Sequence, residues 1–339
     1  MKVAAVLALA LVAGACNDKR RTEPGSTPAA STAPTPTPAP APAPTAAPSL
    51  PGTLWLIDHG SLVRIANGTR QTIGPNLFPT RVMLPDGWFV TISSKGDGSA
   101  DGERLILVGT DGTTSPLGPA ATQIRDPALV DGAIVVAMQV DGVTNLYRID
   151  LETAKLTKLT DDAAGNFEPA ALADGAFVFT SSRDGDAELY RRDRDGKVTR
   201  LTAFHKDDYT PTPSPDGTTI AFLSVREGPS KIFLVRADGT SLRRLTKTAG
   251  DESEPTWSPD GTRIAYHRAD AGGSVIIVHD LATGAERILT PPKARDIEVT
   301  WSPDGTHVAL TRDTDVVVVP VGGGDATHVS HGRLARWLP

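Results

Sequence analysis

The sequence predicts an all-β fold, a β-propeller of four-stranded blades. An internal repeat carries this prediction, because an Asp-Gly dipeptide recurs before a short apolar segment at an interval of 42 to 45 residues. Repeats of this length are typical of propeller blades. The chain also holds 32 Gly and 28 Pro among 339 residues, which favours many turns. The repeated aspartates are Asp86, Asp131, Asp174, Asp216, Asp260 and Asp304.

Each repeat reads as four short strands, and the two ends of the chain indicate how the ring closes. In copies such as "PTWSPDGTRIAY", Pro, Asp and Gly supply the conformations that a tight turn requires. Residues 53–74 look like the second to fourth strands of a repeat, and "RLARWLP" at residues 333–339 looks like a first strand, with Trp337 in the repeat position of Trp257 and Trp301. We therefore predict seven blades, one of them composite. Six blades is the alternative, if the terminal segments only pack on a neighbour.

The first residues predict a lipoprotein signal peptide over residues 1–15. Met1-Lys2 precedes an apolar run that is too short to span a bilayer, and small residues lead directly to Cys16, the chain's single cysteine. This arrangement resembles a bacterial lipobox, which implies lipidation of Cys16. The alternative is an ordinary secretory signal with an incidental cysteine.

Residues 16–52 are predicted to be the lipidated N-terminus and a disordered tether, because Pro, Ala, Thr and Ser dominate them without apolar periodicity. The propeller would then occupy residues 53–339. We expect an anchor in the outer membrane, facing the periplasm, although Asn17 after the cysteine leaves the inner membrane open. The net charge of −6 offers no basic field, so nucleic acid is not an expected partner. We expect a monomer that binds an envelope protein or peptide.

The repeats "WSPDGTRIAY", "SSRDGDAELY" and "RRLT" resemble the TolB-type propeller repeat, which also occurs in propeller domains of prolyl oligopeptidase-like peptidases. The resemblance covers roughly residues 53 to 339. It implies a β-propeller and says little about function, because propellers host many unrelated activities.

No catalytic residues or cofactor are predicted. The G-x-S-x-G motif of a serine hydrolase does not occur, and the seven histidines form no H-x-x-x-H pair or other metal-binding spacing. One loop is loosely like a calcium loop, although it lacks the bidentate Glu that completes an EF-hand, and a solvated hairpin is the alternative. The candidate calcium ligands are Asp97, Ser99, Asp101 and Glu103.

Superposing the repeats predicts an acidic rim at one mouth of the propeller channel. Six residues before the repeated Asp lie Glu168, Glu254 and Glu298, and Asp126 and Asp208 lie nearby. We expect this rim to bind a basic peptide, a partner loop or a cation, while the alternative is that the carboxylates only cap loop ends. The other repeats carry Arg125, Thr210 and Thr80 at this position.

Together these features favour a membrane-anchored envelope lipoprotein whose propeller is a protein- or ligand-binding scaffold. The alternatives are a metal-dependent propeller enzyme, such as a lyase or a lactonase-like hydrolase, and a purely structural envelope protein.

Overall fold

The computed structural model describes residues 50–93, 102–270, 273–291 and 296–338. These residues form seven four-stranded antiparallel sheets. No helix long and apolar enough to cross a membrane occurs among them. The strands are β1 (Thr53–Asp58), β2 (Ser61–Ala66), β3 (Thr69–Pro75), β4 (Leu77–Met83), β5 (Phe89–Ser93), β6 (Glu103–Val108), β7 (Thr114–Ala121), β8 (Gln123–Val130), β9 (Ala133–Val140), β10 (Val143–Asp150), β11 (Leu156–Lys158), β12 (Asn166–Ala171), β13 (Phe177–Ser181), β14 (Glu188–Arg192), β15 (Val198–Arg200), β16 (Asp208–Pro213), β17 (Thr219–Ser224), β18 (Lys231–Arg236), β19 (Arg243–Arg244), β20 (Asp251–Trp257), β21 (Arg263–Asp270), β22 (Gly273–Asp280), β23 (Glu286–Ile288), β24 (Asp296–Trp301), β25 (His307–Arg312), β26 (Asp315–Pro320), β27 (Thr327–His331) and β28 (Arg333–Leu338).

The seven sheets are the blades of a β-propeller, which confirms the predicted fold class. Blade A is composite, with the strand order β28-β1-β2-β3, so the last strand of the chain pairs with the first. Blades B to G follow as β4–β7, β8–β11, β12–β15, β16–β19, β20–β23 and β24–β27. Seven blades and the composite closure are as predicted, and the six-blade alternative is wrong.

The hydrophobic core lies between neighbouring blades. The second and third strands are apolar on both faces, as in β17, where five of six residues are buried. Val178 of blade D, for example, packs in one cluster with Phe222 and Phe233 of blade E. Because both faces of each sheet need cover, stacking the sheets around an axis buries them all.

The S-P-D-G segments are turns, held by hydrogen bonds between their own side chains. The Ser214 hydroxyl donates to Asp216 Oδ1 at 2.5 Å, and the same oxygen accepts the backbone N–H of Thr218 at 3.1 Å. Gly217 follows with a φ of 67°. Asp at this repeat position therefore forms the turn.

Two of the repeated tryptophans, Trp257 and Trp301, join adjacent blades through hydrogen bonds. Trp257 Nε1 donates to the carbonyl of Thr212 at 2.8 Å, and Trp301 Nε1 donates to the carbonyl of Thr256 at 3.0 Å. Each bond runs from the end of one innermost strand to the innermost strand of the preceding blade, which fixes the strands that surround the channel.

Candidate binding site in the central channel

The innermost strands β28, β4, β8, β12, β16, β20 and β24 pack side by side around the axis. Pairing with the second strand is interrupted in each of them, as between Phe167 and Ala170 in β12. In six strands the interruption includes a non-glycine residue in the left-handed region, which turns its side chain out of the regular alternation. These residues are Asp126, Glu168, Thr210, Glu254, Glu298 and Leu334.

Glu168 shows how the carboxylates at these bulges are held. Its Oε2 accepts the backbone N–H of Thr210 in the next blade at 2.7 Å and the hydroxyl of Thr180 in its own blade at 2.8 Å. The Thr210 hydroxyl donates to Oε1 at 3.0 Å. The carboxylate therefore joins two innermost strands and carries its charge on the channel wall.

The same link recurs in blades F, G and A. Glu254 Oε2 accepts the backbone N–H of Glu298 at 2.9 Å, and Glu298 Oε2 accepts the backbone N–H of Leu334 at 2.7 Å. The structure therefore brings the three predicted glutamates to one level of the ring. Each of them caps a neighbouring strand in addition to bearing a charge.

In blade C, the left-handed position holds Asp126 and not Arg125. The turn that follows is one residue shorter here than in the other repeats, so counting back six residues from Asp131 lands one residue early. The Asp126 carboxylate accepts the backbone N–H of Glu168. Arg125 instead pairs with Glu103, its Nη1 lying 2.8 Å from Glu103 Oε2.

Two other predicted positions lie away from the ring of carboxylates. Asp208 is fully buried at the start of β16, where it forms an ion pair with Arg226 at 2.5 Å. Thr80 is buried as well, and its hydroxyl donates to the carbonyl of Val90 within its own blade at 2.6 Å.

Two arginines that the sequence analysis missed lie among the carboxylates. Arg81 on β4 lies among the innermost strands, and solvent in the channel reaches its side chain. Desolvation by the surrounding strands, with the neighbouring Arg336 as a second cause, lowers its pKa to about 10. Arg336 on β28 also has a lowered pKa, chiefly from burial, while Glu298 and Glu254 oppose the shift. Arg336 Nε has no hydrogen-bond partner within the part of the chain that the structure describes. The channel thus carries both signs of charge.

Asp126 gives the channel a pH dependence that can be measured. Its pKa is raised from 3.8 to about 6, first by desolvation among the innermost strands, although channel water reaches the side chain, and second by the charge of Glu168. The unfolded chain loses this proton near pH 3.8, whereas the folded chain holds it to about pH 6, so ionisation disfavours folding. Stability is lost as the pH rises between these two values, and the full loss persists at higher pH.

We therefore expect Asp126→Asn to increase the free energy of unfolding at pH 8, on the order of 1 kcal/mol because lumen water screens the charge. The gain should shrink at pH 4.5, because Asp126 is then mostly protonated in the folded chain and less of the ionisation penalty is present. The asparagine carbonyl accepts the Glu168 N–H at either pH, so this hydrogen bond adds no pH dependence of its own. Urea unfolding at pH 8 and at pH 4.5 measures the difference in the free energy of unfolding between the variant and the unmodified chain. Asp141→Asn, in an exposed hairpin turn of the same blade, is the control and should show no such difference. A gain equal at both pH values would contradict the assignment.

The calcium prediction falls mostly outside the described residues, which do not include Asp97, Ser99 and Asp101. Glu103 is described, and its Oε2 accepts the backbone N–H of Ile124 at 2.7 Å in addition to the Arg125 pair. Across the described ranges, no three His, Cys, Asp or Glu side chains meet as a metal site would require.

Comparison with known proteins agrees with the architecture. Residues 199–335 match the family model described as TolB beta propeller domain. TolB from Acinetobacter baumannii superposes with a TM-score of 0.57 at 22% identity, over 84% of this chain and 66% of that chain. An oligogalacturonate lyase in complex with manganese superposes with a TM-score of 0.61 at 19% identity, over 84% of this chain and 86% of that chain.

A puromycin hydrolase mutant, S511A, gives a TM-score of 0.57 at 18% identity, over 76% of this chain and 48% of that chain. The sequence matches no curated protein. Likeness at these identities shows the fold alone, and that fold occurs in proteins with unrelated activities.

Proposed function

We propose that this seven-bladed β-propeller, which matches the TolB beta propeller model over residues 199–335, is a binding scaffold of the bacterial cell envelope, not an enzyme, and that its channel receives a segment of a partner protein. One observation carries the proposal: charged side chains from six of the seven innermost strands converge in a channel that solvent reaches. They are Arg336, Arg81, Asp126, Glu168, Glu254 and Glu298, in blades A, B, C, D, F and G.

The lipid on Cys16 would hold the scaffold on the outer membrane, facing the periplasm. Acyl chains anchor a protein because each buried methylene contributes about 0.8 kcal/mol. A proline-rich tether of some 30 residues could extend on the order of 90 Å, at about 3.1 Å per residue. The propeller could then meet a partner well away from its own bilayer.

The charged and apolar side chains of the channel indicate which class of partner it would bind. Carboxylates of four blades favour a cationic group, while Arg81 and Arg336, on the packed strands β4 and β28, favour an anionic one. Phe167 and Ile297, directly before Glu168 and Glu298, are 39% and 41% exposed. A peptide segment that carries both charges and an apolar side chain complements these features better than a simple cation does.

Site-specific photocrosslinking in the membrane tests this proposal. A benzophenone amino acid replaces Phe167 or Ile297 near the channel, and Ile288 on the outer strand β23, which is 52% exposed, serves as the matched control. We expect a discrete crosslinked protein from the two channel positions and none from position 288.

The charge requirement is tested in the same assay with Glu168→Gln, Glu254→Gln and Glu298→Gln combined. Glutamine keeps an acceptor for the neighbouring backbone N–H, so the ring stays closed while three charges are removed. We expect the channel crosslinks to fall at least about tenfold. Unchanged crosslinking, with urea unfolding showing an intact fold, would refute the role of the rim.

The alternative is a propeller enzyme, which would also use polar side chains that several blades contribute to the channel. It predicts turnover of a small substrate that these glutamine substitutions abolish, without any protein crosslinked at positions 167 or 297.

A further inference from the structure

Closure of the ring brings together two histidines that are far apart in the sequence. His59 lies in the turn between β1 and β2 of blade A, and His331 ends β27 of blade G. Their rings approach to 5.3 Å between centroids. Two imidazoles at this separation can direct one nitrogen each at a shared ion, because metal–nitrogen bonds are about 2.0–2.1 Å long.

The backbone at the seam enforces this approach. Gly332 follows His331 with a φ of 144° and passes so near to β1 that a Cβ there would lie 2.5 Å from the carbonyl oxygen of Ile57. Its N–H donates to the carbonyl of Thr314 at 2.7 Å. On the other side, His59 has a φ of 47° in a tight Asp58-His59-Gly60 turn. Both histidines are therefore positioned by constrained backbone.

Each imidazole is oriented by a carboxylate through Nδ1. His59 Nδ1 lies 2.5 Å from Asp58 Oδ1, and His331 Nδ1 lies 2.8 Å from Asp315 Oδ1. Metal-binding histidines commonly donate one ring N–H to a carboxylate, which leaves the other nitrogen as the ligand. The hydrogen bonds at Nδ1 assign this role to Nε2 in both residues.

Asp315 supplies negative charge beside His331, whereas Asp58 beside His59 is already paired with an arginine. Arg70 is bound to the second oxygen of Asp58 and so holds that carboxylate in place. His328 Nε2 lies 3.7 Å from Asp315 Oδ1, so the carboxylate that orients His331 also faces a second imidazole. His59 and His331 are 80% and 52% exposed, so an ion and its water ligands can reach them.

We propose that His59 and His331 bind one transition-metal dication of the Zn²⁺ or Ni²⁺ class through their Nε2 atoms, with water completing the coordination. Imidazole ligands suit these borderline ions better than Mg²⁺ or Ca²⁺, which take oxygen ligands. Because the two ligands come from opposite ends of the propeller sequence, the ion binds only the closed ring. It therefore stabilises closure by mass action.

Calorimetric titration of the full chain, purified without a histidine tag, with ZnCl₂ tests the proposal. We expect one equivalent to bind and the melting temperature to rise, while MgCl₂ produces neither effect. His59→Asn and His331→Gln should each weaken Zn²⁺ binding at least tenfold and remove the thermal shift; asparagine tolerates the left-handed conformation of residue 59. Asp315→Asn should weaken binding about 10- to 100-fold.

Two controls separate this site from other ligands. His205→Asn, an exposed histidine outside the seam, and Cys16→Ser, which removes the single thiol, should both bind Zn²⁺ as the unmodified chain does. The proposal is overturned if no equivalent binds, or if His59→Asn binds as tightly as the unmodified chain. Unfolding curves without metal show whether each variant is folded, so a folding defect is not read as lost binding.

Discussion

Deletion of residues 333–339 is expected to abolish cooperative folding of the propeller. These residues include β28, which pairs with β1 in the register Leu54↔Trp337 and Trp55↔Arg336 and packs against β4 and β24 on either side. Without β28, β1 becomes an open edge and the ring of innermost strands is interrupted between blades G and B. Glu298 also loses the Leu334 N–H that it accepts.

The burial of Trp337 indicates how much stability the deletion removes. Its side chain is 6% exposed and packs with Leu54, Val318 and Ala335. Truncating a buried Trp to Ala costs about 3–5 kcal/mol, and small domains have net stabilities of about 5–15 kcal/mol. Loss of the whole strand removes this side chain together with the backbone pairing, so the deletion should leave no folded baseline at low urea.

Urea unfolding followed by circular dichroism measures the series. We expect Trp337→Phe to lower the midpoint slightly, Trp337→Ala to lower it strongly, and the deletion to show no cooperative transition. Leu242→Ala removes an apolar side chain that is 43% exposed, and as the control it should leave the midpoint within the error. A deletion variant that unfolds at the unmodified midpoint would mean that β28 does not close the ring.

The repeat made the architecture predictable, because every blade solves the same packing problem with similar residues. The composite blade followed from one such residue, Trp337, in register with Trp257 and Trp301. The positions of the three glutamates in the acidic rim could be predicted, because their repeats have equal spacing between the bulge and the turn. In blade C the turn is one residue shorter, so the prediction named Arg125 where the structure has Asp126 at the bulge. An acidic residue directly before Pro, as in Asp126-Pro127 and Glu168-Pro169, is the signal that corrects the register.

Features that break the repeat could not be found in this way. Arg81 and Arg336 have no counterparts in the other blades, so aligning the repeats gives no reason to place them in the channel. His59 and His331 meet only because the ring closes, and spacing rules detect ligands that are near one another in sequence. Sequence reasoning therefore predicted the channel carboxylates that the repeat supplies. It missed the arginines and histidines that occur in single blades.

A second large effect is expected at Glu252, which joins blades E and F away from solvent. This carboxylate is 1% exposed; its Oε2 accepts the backbone N–H of Ile232 at 3.1 Å, and its Oε1 accepts the Thr248 hydroxyl at 2.7 Å. Lys231 Nζ lies 3.5 Å from Oε1, and its side chain is 4% exposed. Removing one member of such a pair leaves an uncompensated buried charge, which costs about 3–5 kcal/mol.

A double-mutant cycle separates the charge from the hydrogen bonds. Lys231→Met leaves the carboxylate buried alone, and Glu252→Gln leaves the ammonium alone but keeps an acceptor for the Ile232 N–H. We expect each single variant to lose about 3–5 kcal/mol in the free energy of unfolding, and the double variant to lose clearly less than their sum because no buried charge remains.

The exposed pair of Lys158 and Asp161 is the matched control for this cycle, with side chains 41% and 85% exposed. Lys158→Met and Asp161→Asn should each change the free energy of unfolding by no more than about 1 kcal/mol, and their effects should add. Additive losses at Lys231 and Glu252 would mean that the pair is not coupled. The junction between blades E and F would then depend on packing of Leu223, Ile232 and Tyr266 alone, and replacing both charged residues by apolar ones would be expected to strengthen it.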